Sequence, residues 1–186
     1  HLQEALLYFY LLRSLKQKGV IESSAVCIPS SASIMMCGIE CEDLISAYKG
    51  CQEQICGFDH RVVNAYGDRY HTYDLSIPIW QYDHTRVTTP VRVALLDYVN
   101  GRMDSGSMQD FVFTANKTCH CMLCWVEYHA EGVDAIFSTG RLPYNQTIRL
   151  LKDPLPPSMT RKLQAKLVVG DIADNRSHDM FVQSNP

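Results

Sequence analysis

FSTGRLPYNQTIRLL, residues 137–151, is the stretch whose reading decides the fold. Phe137-Ser138-Thr139 closes a short apolar run that begins at Ala135, Pro143 and Tyr144 sit in a turn, and Gln146-Thr147 opens a second run that continues to Leu151. Short β-prone runs bounded by turn residues read as strands. The same alternation extends in both directions. Strands are expected over residues 34–39, 91–98, 108–114, 119–130, 135–138, 147–151 and 163–169. Asn100-Gly101, Ser105-Gly106, Glu131-Gly132 and Lys152-Asp153-Pro154 punctuate them as turns. The expected fold is mainly β, an antiparallel barrel or sandwich.

Organisation changes near residue 35. Residues 2–17 place Leu2, Ala5, Leu6, Phe9, Leu12 and Leu15 at helical spacing, and Leu7, Tyr8 and Leu11 widen the stripe almost all round. That pattern predicts a helix buried on most sides, with Tyr8-Phe9-Tyr10 in the core. Gly19 reads as its C-cap, and Lys16 and Lys18 complement the negative end of the helix dipole. A second helix is expected over 42–54, with Glu42 or Asp43 capping its start. Residues 58–80 lack periodicity and are rich in Tyr, Asp and His, which marks an excursion from the sheet.

With 186 residues, 46% hydrophobic and 20% charged, the chain reads as one domain with an appendage. A chain of that size buries about 70% of its unfolded surface. A net charge of -3 from 17 basic and 20 acidic side chains leaves no footprint for nucleic acid or an anionic membrane. No apolar run reaches the roughly 18 residues of a membrane span; the one in ALLYFYLLRSL stops at Arg13. The charged-apolar-cleavage order of a signal peptide is missing, and His1 reads as a start in mid-fold, because an apolar helix begins at once. Eight cysteines allow two readings. Four bridges, with sequons at Asn116, Asn145 and Asn175, would suit a secreted chain. Crowding of Cys119, Cys121 and Cys124 into one strand disfavours pairing among them and points to reduced thiols in an intracellular protein.

Chemistry motifs are few. No two glycines lie two apart, so no G-x-G-x-x-G loop is present, and GRMDSG is followed by Ser107-Met108 where a P-loop needs lysine. G-x-S-x-G and H-E-x-x-H are missing too. CHCMLC, residues 119–124, has ligands for part of a zinc site. Strand alternation splits them, with Cys119 and Cys121 on one side and His120, Met122 and Cys124 on the other. The reading is therefore small buried apolar residues for this group; Cys37, Cys41, Cys51 and Cys56 form a second loose group, equally disfavoured as zinc ligands, and no metal is expected. His60, His71, His84, His120 and His129 have no carboxylate at an obvious spacing and read as structural or surface residues.

On these residues the chain resembles the C-terminal barrel of the protein arginine methyltransferase family. LKQKGVIESSAVCIPSSASI, residues 15–34, is similar to the family's passage from cofactor domain to barrel, and ICGFDHRVVN, residues 55–64, to the glycine-phenylalanine-aspartate before its dimerisation arm. PIWQYDHTRVTTP, residues 78–90, looks like the version in members that carry two methyltransferase modules in one chain. CWVEYHAEGVDAIFSTG, residues 124–140, matches the strand pair leading into the substrate loop, and Asn175-Arg176 with Asp179 is similar to a motif near the last strand. The resemblance implies a remnant of the Rossmann-like domain over 1–35, contributing its last helix and strand, and a β-barrel domain over 36–186 with an arm at 58–80. It implies that the parent protein transfers methyl groups from S-adenosylmethionine to arginine as symmetric dimethylarginine, with a splicing factor as protein substrate, in the cytoplasm and partly in the nucleus.

Departures from the family pattern imply a non-catalytic module. The family's substrate loop carries threonine-histidine-tryptophan between the proline-rich turn and glutamine-threonine; here Asn145 alone separates Tyr144 from Gln146, so Pro143, Tyr144, Asn145 and Gln146 are the remnant. The glycine-rich cofactor loop and first catalytic glutamate fall before His1, and the second glutamate falls at about position 1, where His1 stands. Those two carboxylates hold the substrate guanidinium by bidentate hydrogen bonds, which an imidazole does not supply. Glu4, one turn along, is not taken as the substitute. No catalytic residues and no bound cofactor are expected in this chain. Its expected partner is the N-terminal catalytic module of the same protein, which it supports as the second subunit does in the family's dimers, through Phe58, Tyr66, Tyr70 and Trp80 of the arm. The alternatives are a docking surface for the protein substrate on Tyr66, Tyr70 and Trp80, and a secreted disulfide-bonded ligand-binding sandwich.

Overall fold

The computed structural model describes residues 2–48, 53–67, 74–131, 133–141, 143–157, 162–169 and 179–185. Helix α1 (Leu2–Gln17) comes first, then β1 (Ser31–Glu40) and α2 (Glu42–Tyr48). A minor excursion follows, made of β2 (Gln54–Ile55), β3 (Phe58–Asp59) and α3 (Arg61–Gly67). The chain returns through β4 (Leu75–Ile77), a short 3-10 turn at Ile79–Gln81, and β5 (Thr85–Arg86). The remaining strands are β6 (Val91–Asp97), β7 (Arg102–Ser105), β8 (Gln109–Phe111), β9 (Cys119–Ala130), β10 (Val133–Ser138), β11 (Gln146–Leu155), β12 (Lys162–Val168) and β13 (Asp179–Asn185).

The main sheet runs β4-β11-β9-β1-β6-β7, with β10 paired to β9 and β5 to β1; β13-β12-β8 make a second sheet and β2-β3 a ribbon. All described pairings are antiparallel. The mainly β antiparallel fold expected from the sequence is present. One feature of the order positions the site. Along one edge β9 pairs with β1, while its other edge is shared, Cys119 to Cys124 by β11 and Glu127 to Ala130 by β10. Residues 137–151 therefore do not fold into a hairpin; they carry the chain along a single edge of β9.

Alternation sorts the spine into two apolar layers. Ala32, Ile34 and Met36 of β1 and Met122, Cys124 and Val126 of β9 face α1 and the second sheet, where they meet Phe9, Phe111, Leu163 and Leu167. Cys37 and Ile39 with Cys121, Leu123 and Trp125 face α2 and the 3-10 turn, against Leu44 and Ile79. Burying each large apolar side chain contributes about 1.5–3 kcal/mol. The expected grouping of Cys119 with Cys121 fails, since Cys119 lies in the first layer. The ladder of β11 slips between Leu150 and Leu155 opposite this end of β9, where strict alternation ends.

Helix α1 ends as the sequence indicates. Gly19 adopts φ +67, its N–H donates to the Lys16 carbonyl at 3.0 Å, and the Val20 N–H donates to the Leu15 carbonyl at 3.0 Å, the paired bonds of a Schellman cap. The expectation of burial on most sides is corrected. Leu2, Ala5, Leu6 and Phe9 are buried, but Leu7 and Leu11 are 64% and 52% exposed. One sheet can cover only one stripe of a helix.

Other boundaries also move. The second helix is described over Glu42–Tyr48, and Gln54, its expected last residue, belongs to β2 instead. Lys152-Asp153-Pro154 is not a turn but an exposed part of β11, inside the slip where proline's missing donor does not matter. Residues 75–77 of the expected excursion are a strand of the main sheet, because Ile77, Ser76 and Leu75 pair with Gln146, Thr147 and Ile148. Asn175 and Arg176 lie outside the described residues.

Candidate functional site beside the β10 to β11 crossing

Thr139 and Gln146 close the turn that the crossing carries. Thr139 is buried; its hydroxyl accepts the Val126 N–H at 2.9 Å and donates to the Val126 carbonyl at 3.3 Å. The Gln146 amide, 2% exposed, donates to the Thr139 carbonyl at 2.7 Å. Because that carbonyl can only accept, the amide orientation is fixed. Gln146 Oε1 has no protein partner and is buried. Gly140 lies flat on Trp125: a Cβ there would stand 2.7 Å from the indole Cδ1, inside any tolerable contact. Trp125 is pinned in turn by a 2.9 Å bond from Nε1 to Glu127 and by Arg86, 5.0 Å from the ring centroid.

The remnant residues therefore divide. Gln146 is structural and faces inward; Pro143 is exposed; Tyr144 and Asn145 are half-buried. Tyr144 packs edge-on against Phe137 at 5.3 Å between centroids, and Phe137 lies 6.0 Å from Tyr128 of β9. This aromatic row leads into a cavity of about 720 Å³ lined by Glu4, Tyr8, Ile28, Pro29, Tyr128, His129, Ala130 and Phe137.

Local structure explains each wall. Tyr8 is held by an edge contact to Tyr98 at 4.9 Å, and Tyr98 anchors α1 by donating to the Ala5 carbonyl at 3.3 Å. Burial raises the Tyr8 phenol pKa, helped by Cys27, and burial also raises that of Tyr128, helped by the nearby Glu4 carboxylate. His129 contributes little free polarity. Its Nε2 lies 3.1 Å from the Ser33 hydroxyl, and its carbonyl accepts from the N–H and hydroxyl of Ser30 at 2.8 and 3.1 Å. Glu4 also borders a smaller cavity of about 230 Å³ beside Asp74, which holds Arg149 at 2.7 Å in a mostly buried ion pair.

Of the expected arm residues, Phe58 is 72% exposed in β3, and α3 next to it exposes Val62 and Val63 at 67% and 59%. Asp59 joins the two elements, accepting the Arg61 N–H at 2.9 Å and pairing with its guanidinium at 2.6 Å. Trp80, 39% exposed, stands apart in the 3-10 turn after β4. Tyr66 falls in α3, but its side chain, like the whole of Tyr70, lies outside the described residues. The sequence reading missed the cavity because it placed Tyr8 in the core and set Glu4 aside. The available signal was Tyr128, which continues the inward alternation of Cys124 and Val126 to the open end of β9.

The buried thiols are poor ligands and nucleophiles. Burial pushes Cys37 and Cys119 up to about 12 and raises Cys41, Cys121 and Cys124 as well. His120 has a structural task, its Nδ1 accepting the Cys41 N–H at 3.1 Å and its Nε2 lying 3.5 Å from Glu42. Among the described residues no three His, Cys, Asp or Glu side chains gather to hold a metal ion. Among the described glycines, Gly19, Gly101 and Gly106 are single positive-φ positions, Gly57 follows Cys56, also at positive φ, and Gly38 and Gly140 are packed under Cys119 and Trp125.

No protein-family model and no curated protein sequence matches the chain. Solved structures do. A Trypanosoma brucei PRMT1 enzyme-prozyme heterotetrameric complex with AdoHcy superposes with TM-score 0.60 at 15% identity, over 97% of this chain and 65% of that one. The chain shares the fold of the matching part of that arginine methyltransferase structure. Arabidopsis thaliana protein arginine methyltransferase 10 agrees, with TM-score 0.52 at 10% identity over 88% of this chain and 61% of that one. The chain thus spans less than two thirds of either structure's chain.

Proposed function

We propose that the chain is a non-catalytic barrel module of an S-adenosylmethionine-dependent protein arginine methyltransferase, similar to the second module of protein arginine methyltransferase nine. In this reading residues 1–35 are a remnant of the Rossmann-like domain and residues 36–186 the barrel. The module packs on the active module of the parent protein as a subunit packs on its twin. The parent makes symmetric dimethylarginine on a splicing factor, in the cytoplasm and partly in the nucleus.

The observation that carries the proposal is the apolar surface on the excursion, Phe58, Val62 and Val63, each more than half exposed on a segment that the main sheet does not need. Exposed apolar clusters rimmed by charge, as Asp59 and Arg61 rim this one, mark contact sites. The fold likeness to a complex of an enzyme with a prozyme supports the same reading.

Phe58→Asp with Val62→Asp in the complete protein tests it, both positions being open to solvent here and therefore harmless to folding. Methylation of the protein substrate is expected to fall by about tenfold or more, as for loss of interface anchors. Unchanged methylation together with unchanged association of the two modules refutes the proposal.

A further inference from the structure

We infer that Asn100-Gly101, in the turn joining β6 to β7, is a self-modifying site at which the backbone converts Asn100 into aspartate and isoaspartate, and that the isoaspartate form releases the last turn of α1. The inference is independent of the function proposed above.

Of the six asparagines in the chain, Asn100 is the one followed by glycine. It is exposed at the tip of the turn. Gly101 adopts φ +64, a left-handed conformation that favours a residue without Cβ, so no side chain of its own crowds its backbone nitrogen. The hydrogen bonds that hold the turn leave that nitrogen out. Asp97 accepts the Asn100 N–H on Oδ1 at 2.9 Å and the Asn100 carboxamide on Oδ2 at 2.7 Å, while the Tyr98 N–H donates to the Ser30 carbonyl at 3.0 Å.

The conversion consumes only water. The Gly101 nitrogen attacks Cγ of Asn100, forming a C–N bond; the bond from Cγ to Nδ2 breaks, and Nδ2 leaves as ammonia with the proton that Gly101 has lost. Water then opens the five-membered succinimide. Attack at Cγ restores the ordinary main chain and gives aspartate; attack at the main-chain carbonyl leaves the chain running through Cγ and gives isoaspartate. No electrons are exchanged, and one water replaces one ammonia.

The neighbours of Asn100 connect this chemistry to the helix. Lys16 Nζ donates to the Val99 carbonyl at 2.8 Å, and Arg13 Cγ lies 3.6 Å from the point where a Cβ on Gly101 would stand. Both residues that flank Asn100 are therefore contacts of the C-terminal part of α1. Isoaspartate adds a methylene to the main chain between them, so the two contacts cannot both keep their present spacing. In either product a carboxylate also replaces the carboxamide that donated to Asp97. Burial pushes the Asp97 carboxyl up, but its bonds from Asn100 and Val99, with Arg102 nearby, outweigh this and hold it below the usual range. The new carboxylate thus meets an ionised one.

Incubation of the whole chain at pH 8 and body temperature, with and without urea, followed by peptide mapping, tests the inference. Conversion is read as a one-dalton gain split between two products that elute apart. Asn100 in the folded chain is expected to convert about tenfold faster than Asn116, which is equally exposed but precedes Lys117, a contrast of the size a crowded nucleophile gives. Asn100→Gln, which would have to close a six-membered ring, is expected to stay unconverted at that position. Hydrogen exchange of the Lys18, Gly19 and Val20 amides, bonded to the Ser14, Lys16 and Leu15 carbonyls, reads the consequence. In the purified isoaspartate form it is expected to run about fivefold faster than in the native chain, as for loss of one anchoring hydrogen bond. Conversion of Asn100 no faster than that of Asn116, conversion that occurs only in urea, or aspartate without isoaspartate overturns the site, and unchanged exchange overturns its link to α1.

Discussion

Replacing Gln146 by glutamate converts the closed crossing into a pH-dependent element. Nε2 of Gln146 donates to the Thr139 carbonyl at 2.7 Å from a site 2% exposed. A carboxylate oxygen in its place meets that carbonyl lone pair to lone pair, and the second oxygen occupies the buried position where Oε1 already lacks a partner. Both effects favour the protonated acid, which can still donate to Thr139, so the folded-state pKa rises above the unfolded value of about 4.3. Below that value both states hold the proton, and Gln146→Glu costs about 1 kcal/mol or less for an altered hydrogen bond. As pH rises, the unfolded state ionises while the folded state resists, and stability falls by about 1.4 kcal/mol per pH unit until the folded pKa is reached. Buried glutamates reach pKa values of about 8–9, so at pH 7 the loss reaches ~3–4 kcal/mol. Urea unfolding followed by tryptophan fluorescence, for both proteins between pH 4 and pH 8, measures the difference. A destabilisation that stays constant within about 0.5 kcal/mol across that range refutes the closed-turn geometry.

Two further expectations concern the spine. A Cβ added at Gly38 would lie 2.7 Å from the Cys119 sulfur and 3.1 Å from Thr88 Cγ2, so Gly38→Ala alone is expected to cost about 1–3 kcal/mol by overpacking. Cys119→Ala alone leaves a small void costing about 1 kcal/mol, and the double variant refills it, so the cycle should show a coupling of about 1–2 kcal/mol where additivity within ~0.5 would reject the contact. Iodoacetamide at pH 8 with mass mapping should label Cys56, the exposed thiol among the described cysteines, well before Cys37 and Cys119, whose thiols burial holds at about 12. Because those folded pKa values are raised, stability should decline as pH climbs above the unfolded thiol value of about 8.5. Labelling of Cys37 at the rate of Cys56 would contradict the burial.

Local pattern carried much of the fold. Strand β9 runs from Cys119 to Ala130 as its composition indicates, and the Gly19 cap follows from chemistry within five residues. Features set by distant partners were not legible. Leu7 and Leu11 belong to the same apolar helix as Leu6 and Phe9, and only the position of the sheet decides which are covered. Lys152-Asp153-Pro154 has turn composition, yet it lies extended because β11 slips against β9 there. The cavity draws on α1, the segment before β1, and the ends of β9 and β10, a convergence that no spacing in the sequence encodes.

The flanks of the crossing, Phe137-Ser138-Thr139 and Gln146-Thr147, also change weight once their contacts are known. Thr139 satisfies both backbone groups of Val126, Gln146 satisfies Thr139, and Thr147 sits in the ladder opposite Cys124. Each is required for two successive strands to share one edge of β9, whatever the turn between them carries. A chain can therefore keep these flanks for packing alone, because buried donors and acceptors must be paired with or without chemistry. Their presence bears on the fold, and the half-buried Tyr144 and Asn145 between them, with the cavity beyond Phe137, are where any function of the crossing has to reside.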